Sequence, residues 1–363
     1  MSSRRSRASR LASAADHSAA VRQNAGVARD IDRDCLLAFR LRAAHLHERL
    51  PPGHLAEAAH AGLQDSVPRS GLLSLYARVR DTQPSSWEDR SLVQIWGPRG
   101  AVYIVPARDV AVFTLGRLPR DRESQRQLKV VADATARAVD EGSDVTAAVT
   151  AALPEGRAVS LVRQAATVGT LRLRWDTRRT EIFAARRPRA SADRMRVELA
   201  RRFVRQYGPV TPDQFAWWAG VSGEDAKLTW SSLAEELVGV TVAGGQTRFA
   251  HADDEQAVRS AEPVEGIRLL PVDDTYTKLD RDLLVPPDRR AEVFPRPGKG
   301  APAYWPGALL VDGSIVGTWD RQLRRVTLRP WHRLAPQTRA AIEAEAEAMP
   351  VPPLSRPMRV RWA

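Results

Sequence analysis

Cysteine, lysine and long apolar runs are what this 363-residue sequence has least of. A single cysteine, Cys35, rules out an internal disulfide and any multi-cysteine zinc site, so the chain is expected to suit a reducing cytoplasm. Apolar runs are strand-sized, as in Ala308 to Val311, which excludes a membrane helix of ~20 residues. Phosphate-binding glycine loops, Gly-x-Ser-x-Gly elbows and His-Glu-x-x-His pairs are absent, leaving nucleotide hydrolysis, esterase and zinc-protease readings without support. His45, His47, His54 and His60 lie close together, but the first two are two apart on an expected helix and face apart. No metal or other cofactor is expected.

What is there is arginine. Of 55 basic residues only Lys129, Lys227, Lys278 and Lys299 are lysines, and against 43 acidic residues they leave a net charge of +12. A GC-rich genome accounts for the arginine preference, yet its electrostatic consequence is that a polyanion is the default partner. Between Arg157 and Arg205 fourteen arginines face only Asp176, Glu181, Asp193 and Glu198, so this stretch is expected to line the face that meets such a polyanion. From His251 to Arg290 the balance reverses, with six basic residues and ten acidic. Met1 to Gly26 is rich in Arg, Ser and Ala without an apolar segment, and reads as a disordered basic tail (1–29), not a secretory signal. With 43% hydrophobic residues the remainder is globular.

Periodicity supplies the elements. Leu36, Phe39, Ala43, Leu46 and Leu50 predict a helix over Cys35 to Leu50 ended by Pro51-Pro52; short helices follow at Leu55 to Ala61 and Ser70 to Val79. A fourth helix is expected over Trp87 to Trp96, then a strand over Gly100 to Val105. Helices followed by a short strand pair form the winged-helix pattern. It recurs as Ser160 to Val168 with strands at Thr170 to Trp175 and Thr180 to Ala184. It recurs again as Asp193 to Tyr207, Gln214 to Gly220 and Gly223 to Leu237 with a hairpin over Val238 to Ala250. Thr211 is the expected N-cap and Pro212 the first helical residue. From Ile267 strands dominate (Ile267 to Pro271, Ala308 to Val311, Ser314 to Trp319, Arg325 to Arg329), as in a small β-barrel or sheet closed by a helix over Pro336 to Met349. Pro295 to Pro306 is a long loop whose Arg296, Lys299, Tyr304 and Trp305 combine phosphate-binding charge with aromatic faces. Trp217, Trp218 and Trp319 read as packing positions.

Two clusters are candidates for chemistry. Asp273, Asp274, Asp280 and Asp282 surround Lys278, but Tyr276 stands where a metal-dependent nuclease wants an acid, so these read as surface turn carboxylates or wing caps. In Ala61 to Val79, Gln64, Asp65 and Ser66 fall in a helix break beside Pro68 and Arg69, where polar side chains often act only as caps.

Four stretches change that weighting. They are Gly62-Leu-Gln64; Arg90 to Asp109 with its Ile95-Trp-Gly-Pro-Arg-Gly100 core; Gly208-Pro-Val-Thr-Pro-Asp-Gln-Phe-Ala-Trp-Trp218; and Leu269-Leu-Pro271 with Val311-Asp-Gly-Ser-Ile-Val-Gly-Thr-Trp319. In this order they resemble the winged-helix DNA glycosylases of the AlkZ/YcaQ type, from about residue 31 to residue 350. The resemblance implies an α+β, C-shaped molecule of three tandem winged helices (30–123, 124–190, 191–262) and a small β-barrel with a C-terminal helix (263–363). It implies a monomeric, nucleoid-associated, monofunctional enzyme that grips duplex DNA and removes bases alkylated at guanine N7, bulky natural-product adducts included, some members serving in self-resistance. The family motif is Gln, an apolar residue, then Gln or Asp. Gln64 matches, whereas Asp65 and Ser66 depart, and the Arg-Gly-Thr-x-His pattern reads Arg99-Gly-Ala-Val-Tyr103. The implied catalytic residues are Gln64, Ser66 and Asp65. DNA contacts are expected from Arg69, Arg99, Arg172, Arg174, Arg178, Arg179, Arg296, Lys299 and Trp305. A lesion binder without turnover and a winged-helix regulator are the alternatives.

Overall fold

The computed structural model describes residues 30–153, 161–242, 245, 247–295, 305–351 and 358–363. The basic tail, and Arg296, Lys299 and Tyr304 of the long loop, lie outside the described residues. The architecture is α+β, with helices packed on four small sheets among the described residues.

The first helix, Arg33–Ala43, starts where the Asp32 side chain accepts from the amides of Asp34 and Cys35. It stops earlier than the apolar spacing predicts, because His45 takes a left-handed conformation (φ 53°) and the chain turns toward a bridge between Leu50 and Val79. The helix expected at Trp87 to Trp96 is instead a strand, Leu92–Trp96, after a single turn at Ser86–Glu88. Val93, Ile95 and Trp96 favour extended backbone, and Leu92-Val-Gln-Ile-Trp pairs antiparallel with Val102–Pro106 along its full length. The far edge of Val102–Pro106 takes the two-residue strand Leu63–Gln64, which sets Gln64 opposite Tyr103.

The longest helix, Arg122–Glu141, has no counterpart in the predicted elements. Its buried residues are Leu128, Val131, Ala132, Ala134, Thr135 and Ala138, too poor in large apolar side chains to stand out between charged neighbours. It packs against the hairpin of Leu171–Trp175 and Thr180–Ala184, whose ends match the expected bounds to within a residue. Helix Ala192–Tyr207 leads into Pro212–Ala219, where Thr211 and Gln214 form a reciprocal capping box. Phe203, Tyr207, Phe215 and Trp218 pack here with ring centroids 5.1 to 6.4 Å apart. Trp218 is fully buried as expected; Trp217 is not, being 47% exposed on the opposite side of this short helix.

The C-terminal sheet runs in the order Arg359–Trp362, Arg325–Pro330, Ser314–Gln322, Gly307–Val311, Ile267–Leu270, with Pro336–Glu347 against it. Immediately after Leu270, the turn 271–282 passes between this sheet and the rest of the chain. Its acids are not the surface carboxylates the sequence suggested. Asp274 is fully buried and takes a bidentate pair of 2.8 Å bonds from Arg78, while Asp280 receives Arg40 and Arg248 at 2.7 Å each. Only Asp282 stands in solvent, at 76% side-chain exposure.

Candidate active site

Gln64 is buried at a strand edge, with Gly62 just before it in a left-handed conformation (φ 78°). A Cβ at Gly62 would lie 3.0 Å from the rings of Phe113 and Tyr103, so a glycine lets the chain approach them. The Gln64 amide is held at both ends. Its Nε2 donates to Asp273 Oδ2 at 2.9 Å, and its Oε1 faces the Tyr103 hydroxyl, which donates at 3.4 Å. Burial pushes the Tyr103 hydroxyl up to about 12, so it stays protonated and donates.

Asp65 points the other way. Its Oδ1 accepts from the Gly71 amide at 2.9 Å, in the first turn of helix Ser70–Arg78, and its Oδ2 accepts from Gln94 Nε2 at 2.7 Å. Gln94 in turn accepts from the Trp175 amide at 2.7 Å, tying this sheet to the neighbouring hairpin. Asp65 is therefore a buried carboxyl, pushed up to about 7 chiefly by burial, against the bonds from Gly71 and Gln94 and the charge of Arg69. Ser66 is exposed.

The partner of Gln64 comes from 209 residues away. Asp273 has a left-handed backbone (φ 66°), an unfavourable conformation for a non-glycine residue that tends to gather at functional sites. Its side chain is 23% exposed and its Oδ1 is ion-paired with the buried Lys278 ammonium. Burial draws Lys278 down to about 8, opposed by Asp273. Arg281 lies beside this pair with its guanidinium over the rings of Phe294 and Trp305, 4.3 and 4.8 Å from their centroids. The sequence had marked Lys278 and its acids as a cluster, but nothing in the spacing connected them to Gln64. A groove of about 380 Å³ adjoins the site, walled by Val67, Pro68, Leu73, Val272, Trp305 and Trp319.

The arginines divide into free and committed. Arg69, left-handed at φ 66°, stacks on Trp87 at 3.9 Å and donates to the carbonyls of Trp175 and Asp176. Arg172 donates to the Gly169 and Leu171 carbonyls, and Arg174 is paired with Glu88. Arg178 and Arg179 are exposed at the hairpin tip, their amides capped by Asp176. Arg99 is exposed and stacks on Trp217 at 4.1 Å. Within helix Ala192–Tyr207 much of the basic charge of this stretch is paired inside the protein. Arg196, Arg201, Arg202 and Arg205 are spent on Asp193, Glu198, Glu236, Asp109, Asp253 and Asp254. No group of three potential metal ligands occurs among the described residues, and no helix there is long and apolar enough to cross a membrane.

A model of the DNA glycosylase AlkZ-like family matches residues 40–350. The chain belongs to this family. Membership in the AlkZ-like family assigns the reaction class, hydrolysis of an N-glycosyl bond in DNA. Among solved structures, the DNA glycosylase AlkZ of Streptomyces sahachiroi is similar with a TM-score of 0.69 over 92% of this chain and 100% of that one, at 20% identity. At that identity the likeness speaks to the fold. No curated protein matches the sequence.

Proposed function

We propose that this AlkZ-like chain is a monofunctional glycosylase that excises N7-alkylated guanine, bulky adducts included, from duplex DNA. Alkylation at N7 makes the base cationic and already activated as a leaving group, so the protein has only to place a water and stabilise an oxocarbenium-like sugar. The observation that carries this reading is the Gln64 amide, fixed between Tyr103 and Asp273 beside a groove with mostly apolar walls. That groove suits a bulky substituent, which is the motive for proposing self-resistance to a DNA-alkylating natural product.

In this reading the three winged-helix units and the barrel unit curve around the duplex as a cytoplasmic monomer, with Arg99, Arg178 and Arg179 on its concave side. The abasic site is left intact in this reading, because the Lys278 side chain is only 3% exposed and its amine is engaged by Asp273. The lesion-binder alternative draws its support from Ser66, which stands where the family motif has Gln or Asp. One assay separates them. Incubation with duplex containing N7-methylguanine should yield alkali-labile strands and no borohydride-trapped adduct. Selective binding without breaks would leave a binder, and sequence-selective binding a regulator.

A further inference from the structure

Gln64 can orient a water but cannot take its proton, since an amide has no useful basicity. Of the other polar groups near it, Tyr103 is a donor held protonated by burial, and Ser66 is a hydroxyl in solvent. Asp65 is sealed off, with one oxygen on Gly71 and the other on Gln94. Asp273 differs from all of these. Its carboxylate touches the Gln64 amide directly, is partly open to solvent, and among the described residues uses one acceptor position on each oxygen, for Gln64 and for Lys278. Its backbone is held in an unfavourable conformation by a turn whose neighbouring acids, Asp274 and Asp280, are locked by buried arginines. That arrangement fixes the carboxylate in place. Lys278 is paired with it, Arg281 lines the same pocket, and Arg99 acts electrostatically on both of these.

We propose that Asp273 is a catalytic residue of the excision reaction, holding and deprotonating the water that attacks C1′ of the lesion nucleotide, with Gln64 as co-orienter and Lys278 as the positioning residue of the carboxylate. The proposal rests on the glycosylase reading above. In the step, the water oxygen forms a bond to C1′ and its proton passes to Asp273. The C1′–N9 bond breaks with its electron pair moving into the imidazolium ring, which cancels the positive charge and releases a neutral alkylpurine. A carboxylate close to C1′ also lowers the energy of the cationic sugar along this path.

The test is single-turnover release of N7-methylguanine from duplex DNA by the full chain, with DNA affinity and thermal melting measured alongside. Wild type, Asp273→Asn and the doubly neutral Asp273→Asn/Lys278→Met are compared. The asparagine keeps an oxygen for Gln64, and the double variant removes the stranded ammonium that could unfold the single one. Both variants should bind DNA as wild type does and release base at least about 10²-fold more slowly. Excision by wild type with an unimpaired Asp273→Asn would overturn the proposal while leaving the glycosylase reading intact. Recovery in the double variant would likewise overturn it, by showing that the pair serves only to place Gln64. Failure of wild type to excise would overturn the glycosylase reading, and this proposal with it.

Discussion

Three consecutive side chains, Gln64, Asp65 and Ser66, have three different fates. The first is fixed in the site, the second is sealed beneath a helix and the third faces solvent. Their rank in catalysis follows from this. Gln64→Ala is expected to slow base release by about 10²-fold or more, the size of a lost transition-state hydrogen bond, without weakening DNA binding. Ser66→Ala should have a smaller effect, and Ser66→Asp should keep activity on N7-methylguanine; single-turnover kinetics on the three proteins check the order. Gln64 was legible as a candidate in the sequence through its neighbours. The direction of Asp65 was not, because adjacent residues on an extended segment point to opposite sides and only the Gly71 and Gln94 contacts fix which side is inward. Asp273 was invisible as a partner for a plainer reason, since a contact across 209 residues leaves no local pattern.

Among elements, the best-read were those with strong end signals. Thr211-Pro212 announced its helix, and the hairpin around Asp176 announced its turn. The strand Leu92–Trp96 was misread because it is buried on both faces, which erases the alternation that marks a strand. Helix Arg122–Glu141 was missed because alanine forms much of its buried stripe. Helix Ser70–Arg78 owes part of its start to the Asp65 carboxylate, and this gives stability a pH dependence. The folded carboxyl is raised to about 7, above its unfolded value of roughly 4, so the native state takes up a proton between the two. The stability contributed is full below the unfolded value and is lost as pH rises through about 7. The urea midpoint of wild type should therefore rise relative to that of the non-titrating Asp65→Asn on going from about pH 8 to about pH 5. A constant difference across that range would mean Asp65 titrates normally.

For the molecule as a whole, charge that is free must be separated from charge that is used. The exposed Arg178 and Arg179 should each contribute about −0.9 to the slope of log affinity against log salt, so replacing both with alanine should flatten it by roughly 1.8. Arg201→Ala should leave that slope alone and instead lower the melting temperature, because Arg201 is bound to Glu198 and Glu236. Fluorescence anisotropy across a salt series distinguishes the two classes. Composition pointed to a polyanionic partner, but it could not say which arginines were already neutralised, since their partners lie far off in the sequence, as Asp109 does from Arg202 and Asp280 from Arg40.

The turn 271–282 carries a final consequence. Loss of Asp274, as in Asp274→Ala, should destabilise the protein by about 3–5 kcal/mol in denaturant melts, since the Arg78 charge would remain buried without a partner. Severing the chain ahead of this turn would do more, stranding Arg40, Arg78 and Arg248 together. The C-terminal region resembles a detachable module, yet the larger fragment could not be expressed soundly without it. New lesion preferences in this lineage should therefore arise by point substitution within the grooves, and not by recombination that trades one terminal half for another.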